Sequence, residues 1–323
     1  MSPSPNDLFL TIAAQDGSVF TTDRAAGSGA WSSFQPVPSL VQPGRKNLAV
    51  TATFRRQVCA LNDAPIRQLR YTRDSGAWSA AVRLAAGIAP AGVESGEGTL
   101  TFALLGAGAP TQPGWSFGLP LFLVETDEKT VQLKGDQAAS VNQGDLDPAE
   151  SPVSLDIAGT FSDAARRYHL CLAMASGKTF YTFHDHSAPV RFAFEAIPPL
   201  KTWKARSITC APGREGLHVC AVTEEGKILH GIRRPDGTWS GTGDVTAATR
   251  STDLFQQVAI SYYTAPGRGG VLHLAGVTRT GGLLHTMRTA EETADPLWSP
   301  FVDVKAQAGD RGPVASVAIG VVP

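Results

Sequence analysis

The 323-residue sequence predicts an all-β protein, a single β-propeller of six four-stranded blades, from three observations. Short apolar runs separated by glycine-containing turns extend along the chain, as expected for antiparallel strands. One pattern of two strands and a tryptophan recurs at near-constant spacing. An extra strand near the C-terminus matches a strand missing from the first repeat, so pairing of this C-terminal strand with the N-terminal blade would close the ring.

The repeat is clearest between residues 217 and 241, LHVCAVTEEGKILHGIRRPDGTWSG. An apolar run from Leu217 to Val222 reaches a turn at Glu224 to Gly226, and a second run follows from Ile228 to Arg233. A proline-aspartate-glycine turn then leads into a segment that Trp239 opens. Such turns between short apolar runs indicate successive antiparallel hairpins.

The position of Leu229 recurs along the chain at intervals of 49, 62, 49, 49 and 55 residues, near the size of a four-stranded blade. The matching residues are Phe20, Leu69, Val131, Phe180, Leu229 and Leu284. A further β-rich stretch precedes every repeat except the first and supplies the innermost strand of its blade. The first repeat would take residues 313–322 instead.

One propeller domain, residues 1–323, therefore accounts for the chain. The predicted blades are 313–322 with 8–40, then 47–85, 94–145, 152–200, 204–248 and 253–305.

The composition of the chain argues against nucleic acid and membranes as partners. The formal charge of -1 provides no field that would attract nucleic acid or an anionic membrane. The first thirty residues lack a signal-peptide pattern, and no apolar run is long enough to span a bilayer. We therefore expect neither nucleic acid nor a membrane as partner and a cytoplasmic location, with export only by a route that uses no signal peptide. The sequence carries no signal for an oligomeric state.

The four cysteines lie in apolar strand-like runs without metal-binding spacing, which predicts buried free thiols. Cys210 and Cys220 lie near the ends of two successive predicted strands and could approach each other, but the sequence does not decide whether they form a disulfide.

The order of apolar strand, acidic-glycine turn, strand, glycine turn and tryptophan resembles that of the tectonin-like and bacterial β-propeller lectins. Blade 5 matches through Gly226, Leu229, His230, Gly237 and Trp239. Blades 3 and 4 depart from the pattern because neither has the later tryptophan. The architecture is also similar to that of fungal fucose-binding propellers, whose arginine, glutamate and aromatic set is approached most closely around Arg70. The resemblance implies carbohydrate binding, with sites between neighbouring blades.

Aromatic and imidazole side chains are the ligand-binding candidates. Indole rings can stack on the apolar face of a sugar, although a tryptophan repeated at a strand start also packs its own blade. Histidines on the second strand of the unit face the neighbouring blade, where they can be ligand contacts or hydrogen-bonded spacers. The candidates are Trp31, Trp78, Trp239, Trp298, Tyr181, His230, His285 and Arg70, with the unrepeated Trp115 and Trp203.

Two function hypotheses follow. The first is a lectin-like module that binds a glycan or another small polyhydroxylated ligand. The second is a cofactor-independent cyclase, isomerase or lyase with one small organic substrate in the central channel, since blade divergence suits a single asymmetric pocket. Its acid-base candidates are His184 and His186 of the H-D-H cluster, Glu224 and Asp63. We expect neither a cofactor nor a metal.

Overall fold

The structure is a computed structural model of the chain. It describes residues 8–37, 45–51, 56–62, 68–74, 82–86, 88–90, 100–106, 121–126, 131–134, 140–142, 152–162, 165–185, 191–264, 270–290 and 298–321. Side chains are described for residues 8–37 and for most of 153–321. Within these ranges, no helix is both long and apolar enough to cross a membrane.

The first sheet joins the two ends of the described chain. Its strands are β1 (Leu8–Ala14), β2 (Val19–Arg24), β3 (Gln35–Pro36) and β26 (Val314–Val321), in the order β26-β1-β2-β3. β26 pairs antiparallel with β1, so that Ile12 lies opposite Val317 and Leu10 opposite Ile319. All seven residues of β1 are buried, because sheets pack against both of its faces.

The next two sheets follow in chain order. The second contains β4 (Arg45–Thr51), β5 (Arg56–Asn62), β6 (Gln68–Asp74) and β7 (Val82–Ala86). The third has the order β11-β10-β9-β8, from β8 (Ile88–Pro90), β9 (Leu100–Gly106), β10 (Leu121–Thr126) and β11 (Val131–Lys134). The strand β8, which pairs with β9, thus precedes the other three strands of this sheet in the chain. The strand that follows β11, β12 (Ser140–Asn142), does not join this sheet and pairs in parallel with β16 (Arg191–Ala193).

The last three sheets each run outward in chain order. The fourth is β13 (Pro152–Ser162), β14 (Ala165–Met174), β15 (Thr179–Asp185) and β17 (Glu195–Ala196). The fifth is β18 (Ala205–Gly213), β19 (Gly216–Thr223), β20 (Ile228–Arg233) and β21 (Gly243–Asp244). The sixth is β22 (Phe255–Thr264), β23 (Gly270–Thr278), β24 (Leu283–Ala290) and β25 (Val302–Asp303). Short helices α1 (Val245–Ala248) and α2 (Val304–Ala308) follow β21 and β25. The predicted all-β chain of four-stranded antiparallel sheets, the construction of a β-propeller, is confirmed.

Neighbouring sheets pack face to face through apolar side chains. The inner strands are in contact in the order β13, β18, β22, β26 and β4. Between the fourth and fifth sheets lies a cluster that includes Ala173, Ile197 and Val219. Comparable clusters fill the space between the fifth and sixth sheets and between the sixth and first. The core is therefore divided among the sheet interfaces.

Glycine turns between the second and third strands join the fifth sheet to the sixth and the sixth to the first. The carbonyl oxygen of Gly226 accepts a hydrogen bond from the N–H of Phe255, and that of Gly281 accepts one from the N–H of Val314. Gly281 has φ +81°, and a Cβ there would lie 2.6 Å from the Cβ of Pro313. Glycine is required because the next strand passes this close to the turn.

The register of β18 and β19 decides the question of a Cys210–Cys220 disulfide. Cys210 lies opposite Val219 and Cys220 opposite Thr209, so the two thiols occupy opposite faces of the sheet. Cys210 is buried against the fourth sheet and Cys220 against the sixth. Cys171, Cys210 and Cys220 are free and buried, and no bond links Cys210 to Cys220.

Candidate functional site

An arginine and a tryptophan lie side by side on one face of the first, fifth and sixth sheets. Each arginine lies at or near the end of the third strand. An isolated antiparallel bridge pairs it with the tryptophan before the fourth strand. The bridged pairs are Arg24 with Trp31, Arg233 with Trp239, and Arg288 with Trp298. Directly opposed residues place their side chains on the same face, so each arginine shares a face of its sheet with a tryptophan.

A serine after each tryptophan holds this segment against the third strand. Its hydroxyl oxygen accepts a hydrogen bond from the backbone N–H of the residue before the arginine. The bonds are Asp23 to Ser32 (3.0 Å), Ile232 to Ser240 (2.8 Å) and Met287 to Ser299 (3.1 Å). The Trp-Ser dipeptide therefore fixes where the indole lies on the sheet.

Each of these tryptophans meets an aromatic ring of the preceding sheet edge to face. The ring centroids are 5.8 Å apart for Tyr181 and Trp239, 5.5 Å for His230 and Trp298, and 5.2 Å for His285 and Trp31. The described side chains thus contain three equivalent contacts between sheets. We name them the Tyr181 interface (Tyr181, Trp239, Arg233), the His230 interface (His230, Trp298, Arg288) and the His285 interface (His285, Trp31, Arg24).

Behind each ring lies a second, buried imidazole. Nδ1 of His169 is 2.8 Å from the hydroxyl of Tyr181. Nδ1 of His218 is 3.0 Å from Nε2 of His230, and the stacked pair His273 and His285 repeats this contact at 3.1 Å. In a neutral pair one ring nitrogen donates and the other accepts.

Burial keeps the four imidazoles of the two histidine pairs neutral. Burial, together with the nearby Arg288, lowers the pKa of His218 to about 3. Burial, with Arg24 nearby, likewise lowers the pKa of His273 to about 3. The pKa values of His230 and His285 lie well below the usual range because of burial and the partner imidazole. The two histidine pairs therefore stabilise the His230 and His285 interfaces as neutral hydrogen-bonded pairs near pH 7.

The arginines at two interfaces form ion pairs with the preceding sheet. Nε of Arg233 is 3.5 Å from Oε1 of Glu195, and Nη2 of Arg288 is 3.2 Å from Oε2 of Glu215. Glu195 lies on β17, whereas Glu215 lies in the turn between β18 and β19. The two carboxylates thus come from different positions of their sheets.

At the His285 interface, Arg24 forms no ion pair with a carboxylate of the described residues. A Cβ at Gly29 would lie 2.9 Å from Nη2 of Arg24, so the guanidinium lies against the β2–β3 turn. Burial lowers the pKa of Arg24, although a guanidinium remains charged at neutral pH. This interface therefore carries a positive charge that the described side chains leave uncompensated.

The Tyr181 interface has an exposed aromatic surface at its outer end. The Phe183 side chain is 38% exposed, and its ring centroid lies 6.4 Å from that of Tyr181. The guanidinium of Arg167 lies 4.5 Å from the Phe183 centroid, and that of Arg233 lies 4.6 Å from the Tyr181 centroid. Apolar ring surface and charged hydrogen-bonding groups thus occur together within reach of solvent.

The other sequence-predicted residues lie apart from these interfaces or outside the described part. Trp203 is partly buried beside the cluster between the fourth and fifth sheets, with Nζ of Lys227 5.9 Å from its centroid. Glu224 is exposed and its carboxylate lies 3.9 Å from Nζ of Lys204. Trp78, Trp115, Asp63 and His186 lie outside the described residues, and Arg70 and His184 are described only in their backbones.

The arginines of the three interfaces were not among the sequence candidates. Arg24, Arg233 and Arg288 each stand four residues after the aligned positions Phe20, Leu229 and Leu284. This spacing is visible in the sequence and would have identified them. The partners Glu195 and Glu215 carry no such signal, because they occupy non-equivalent positions.

Comparison with known proteins supports the fold. No family model matches the chain, and no curated protein matches its sequence. Among solved structures, a variant of AofleA from Arthrobotrys oligospora with three arginines replaced by alanine is 13% identical, with TM-score 0.63, over 100% of this chain and 87% of that chain. The fucose-specific lectin from Aleuria aurantia is 12% identical, with TM-score 0.60, over 96% and 95%.

A Bacteroides fragilis protein named for a proposed 6-phosphogluconolactonase activity is also similar. It is 11% identical, with TM-score 0.53, over 99% of both chains. At these identities the similarity concerns the fold, which hosts lectins as well as a protein named for an enzymatic activity.

Proposed function

We propose that the protein is a lectin-like propeller that binds carbohydrate at the interfaces between neighbouring sheets. In this proposal the six four-stranded sheets found among the described residues form a ring, and pairing of β26 with β1 completes it. The observation that carries the proposal is the repeated arginine-tryptophan pair facing an aromatic ring of the preceding sheet.

The Tyr181 interface has the side-chain chemistry that a neutral sugar requires. Exposed ring surface at Phe183 can cover the apolar C–H face of a pyranose. The guanidinium of Arg233 donates and the carboxylate of Glu195 accepts, so together they can bind vicinal hydroxyl groups. Because the Glu195 side chain is 53% exposed, its oxygens are accessible from solvent.

The comparisons suggest the first sugar to test. The Aleuria aurantia protein is fucose-specific, and the AofleA variant has three arginines replaced. Methyl α-L-fucoside is therefore the first probe, and the interface arginines are the first side chains to replace. Repeated weak sites would give high avidity for a multivalent glycan.

Calorimetry of the full chain with methyl α-L-fucoside and a panel of neutral methyl glycosides tests the proposal. We expect saturable binding by at least one glycoside and a loss of at least tenfold in affinity at the Tyr181 interface in Arg233→Ala, since charged hydrogen bonds are worth about 1.5–3 kcal/mol. Arg234→Ala is the matched control, because the side chain of this exposed neighbour hydrogen-bonds to Thr238 within its own hairpin.

Two results would contradict the proposal. One is the absence of saturable binding by every glycoside, both in calorimetry and on a glycan array. The other is equal loss of affinity in Arg233→Ala and Arg234→Ala, which would remove the interface as the binding site.

A further inference from the structure

The three interface arginines differ in how their charge is compensated. Glu195 compensates Arg233, and Glu215 compensates Arg288, whose side chain is only 7% exposed. Arg24 occupies the same position on its own sheet without a described carboxylate partner. The three interfaces share the arginine and the tryptophan, and the carboxylate partner of the arginine is one feature in which the His285 interface differs from the other two.

Both positions that supply a carboxylate elsewhere lack one at the His285 interface. Glu195 pairs with Tyr181 across β15 and β17, and the equivalent residue opposite His285 is Val302. Glu215 lies in the turn between the first two strands of its sheet. In the sixth sheet the residues between the first two strands outside the described part, 265–269, have the sequence Ala-Pro-Gly-Arg-Gly, which contains no acid.

An arginine in this setting is ready to bind an anion. A guanidinium removed partly from water without a counter-charge is destabilising, and a carboxylate that binds it in bidentate fashion offsets that cost. The neighbouring His273 and His285 are neutral near pH 7, so they neither repel nor replace such an anion. Arg24 itself is partly exposed, and Val302, which lies opposite His285, is 38% exposed.

We propose that the His285 interface binds a sugar that carries a carboxylate, with Arg24 pairing with this group. The inference rests on the proposed function for the sugar part and on the uncompensated Arg24 for the charge. A single carboxylate matches one guanidinium in charge and in fork geometry. The His285 interface would therefore select acidic sugars, whereas the Tyr181 interface, with its own glutamate, would bind neutral ones.

Calorimetry of the full chain with methyl β-D-glucuronide and methyl β-D-glucoside, in buffer free of other carboxylates and of phosphate, tests this selection. We expect the glucuronide to bind at least tenfold more tightly than the glucoside, and more weakly as salt increases. Acetate and inorganic phosphate serve as separate probes of anion binding without a sugar.

Two variants test whether Arg24 is responsible for the preference for the glucuronide. Arg24→Gln removes the charge, and Val302→Glu introduces a carboxylate at the position that Glu195 occupies in the fourth sheet. Both should abolish the preference for the glucuronide, and Arg234→Gln should leave it unchanged. Since Val302 is exposed, its variant is expected to fold, which circular dichroism and the melting temperature check.

The outcomes separate this inference from the proposed function. Equal affinities for glucuronide and glucoside, as would follow if a carboxylate outside the described residues compensated Arg24, would overturn the inference. So would a preference that survives both variants, or acetate or phosphate binding as tight as that of the glucuronide. Neutral glycosides that still bind in an Arg233-dependent way would leave the proposed function standing in each of these cases.

Discussion

The indole of Trp298 meets the imidazole of His230 edge to face, with an interplanar angle of 84°. This contact joins two neighbouring sheets, and His230 is itself hydrogen-bonded to His218. The tryptophan therefore packs against a ring that is already fixed within its own sheet. Structural packing and ligand contact are compatible here, because the same indole adjoins Arg288 on its own sheet.

Removing this indole should destabilise the protein. Trp298→Ala is expected to lower the free energy of unfolding by about 2–4 kcal/mol, since a partly buried ring is lost between sheets. Urea denaturation followed by circular dichroism measures the change. Leu254→Ala, at a side chain 49% exposed, is the control and should change the free energy by less than about 0.5 kcal/mol. Equal effects of the two substitutions would contradict the packing role.

The buried imidazole pairs predict a decrease in stability in mild acid. His218 and His273, with pKa values of about 3 in the folded protein, bind protons more readily once the chain unfolds. Their stabilising contribution is fully present above the unfolded pKa of about 6.5. It is lost as the pH falls from there towards 3, by at most about 1.4 kcal/mol per pH unit for each histidine.

Urea denaturation at pH values between 6.5 and 5 measures this loss, because most carboxylates titrate below that range. The double variant His273→Gln/His285→Gln should reduce the slope, since two of the four imidazoles of the two pairs are gone. A flat profile in the native chain, or an unchanged slope in the double variant, would mean that these imidazoles do not govern stability in acid.

The Arg288–Glu215 ion pair should behave as a coupled unit. Glu215→Gln is expected to cost about 1–3 kcal/mol, because it leaves a nearly buried guanidinium without its counter-charge. Arg288→Met should cost more in the presence of Glu215 than in its absence. A double-mutant cycle by urea denaturation measures the coupling, and a coupling energy of zero would show that the pair acts independently.

The buried thiols of Cys210 and Cys220 should react with an added thiol reagent much more slowly in the folded protein than in the unfolded one. Burial raises the pKa values of Cys210 and Cys220, so the reactive thiolate is scarce in the folded state. A chromogenic disulfide reagent should modify the two slowly in the native protein and rapidly in denaturant. Peptide mapping of a non-reduced digest should contain no Cys210–Cys220 cross-link, because the two side chains lie on opposite faces of the sheet. Detection of that cross-link would contradict the β18–β19 register.

The strands and hairpins that neighbouring residues of the sequence determine were the part of the fold that could be predicted. The runs Leu217 to Val222 and Ile228 to Arg233 correspond to β19 (Gly216–Thr223) and β20 (Ile228–Arg233), because apolar patterning and glycine turns define hairpins. The third sheet was less predictable, since its fourth strand, Ile88–Pro90, pairs with a strand that follows it in the chain.

The aromatic and histidine side chains of the candidate site could be predicted from the sequence, whereas its ion pairs could not. The alternation that placed Leu229 and His230 on opposite faces also placed His230 towards the neighbouring sheet, where it meets Trp298. The ion pair between Arg288 and Glu215 spans 73 residues of sequence and depends on how two sheets pack. No spacing rule connects two such residues in a single sequence.

The pairing of β26 with β1 joins the first and the last strand that are synthesised among the described residues. Leu8–Ala14 is buried on both faces in the folded protein, yet it leaves the ribosome about three hundred residues before Val314–Val321. During that interval Leu8, Leu10 and Ile12, which pack with the sixth sheet, and one edge of the β1 backbone have no permanent neighbour. A chain that terminates before β26 would leave this apolar face and this strand edge exposed, and we expect such a product to associate with other chains.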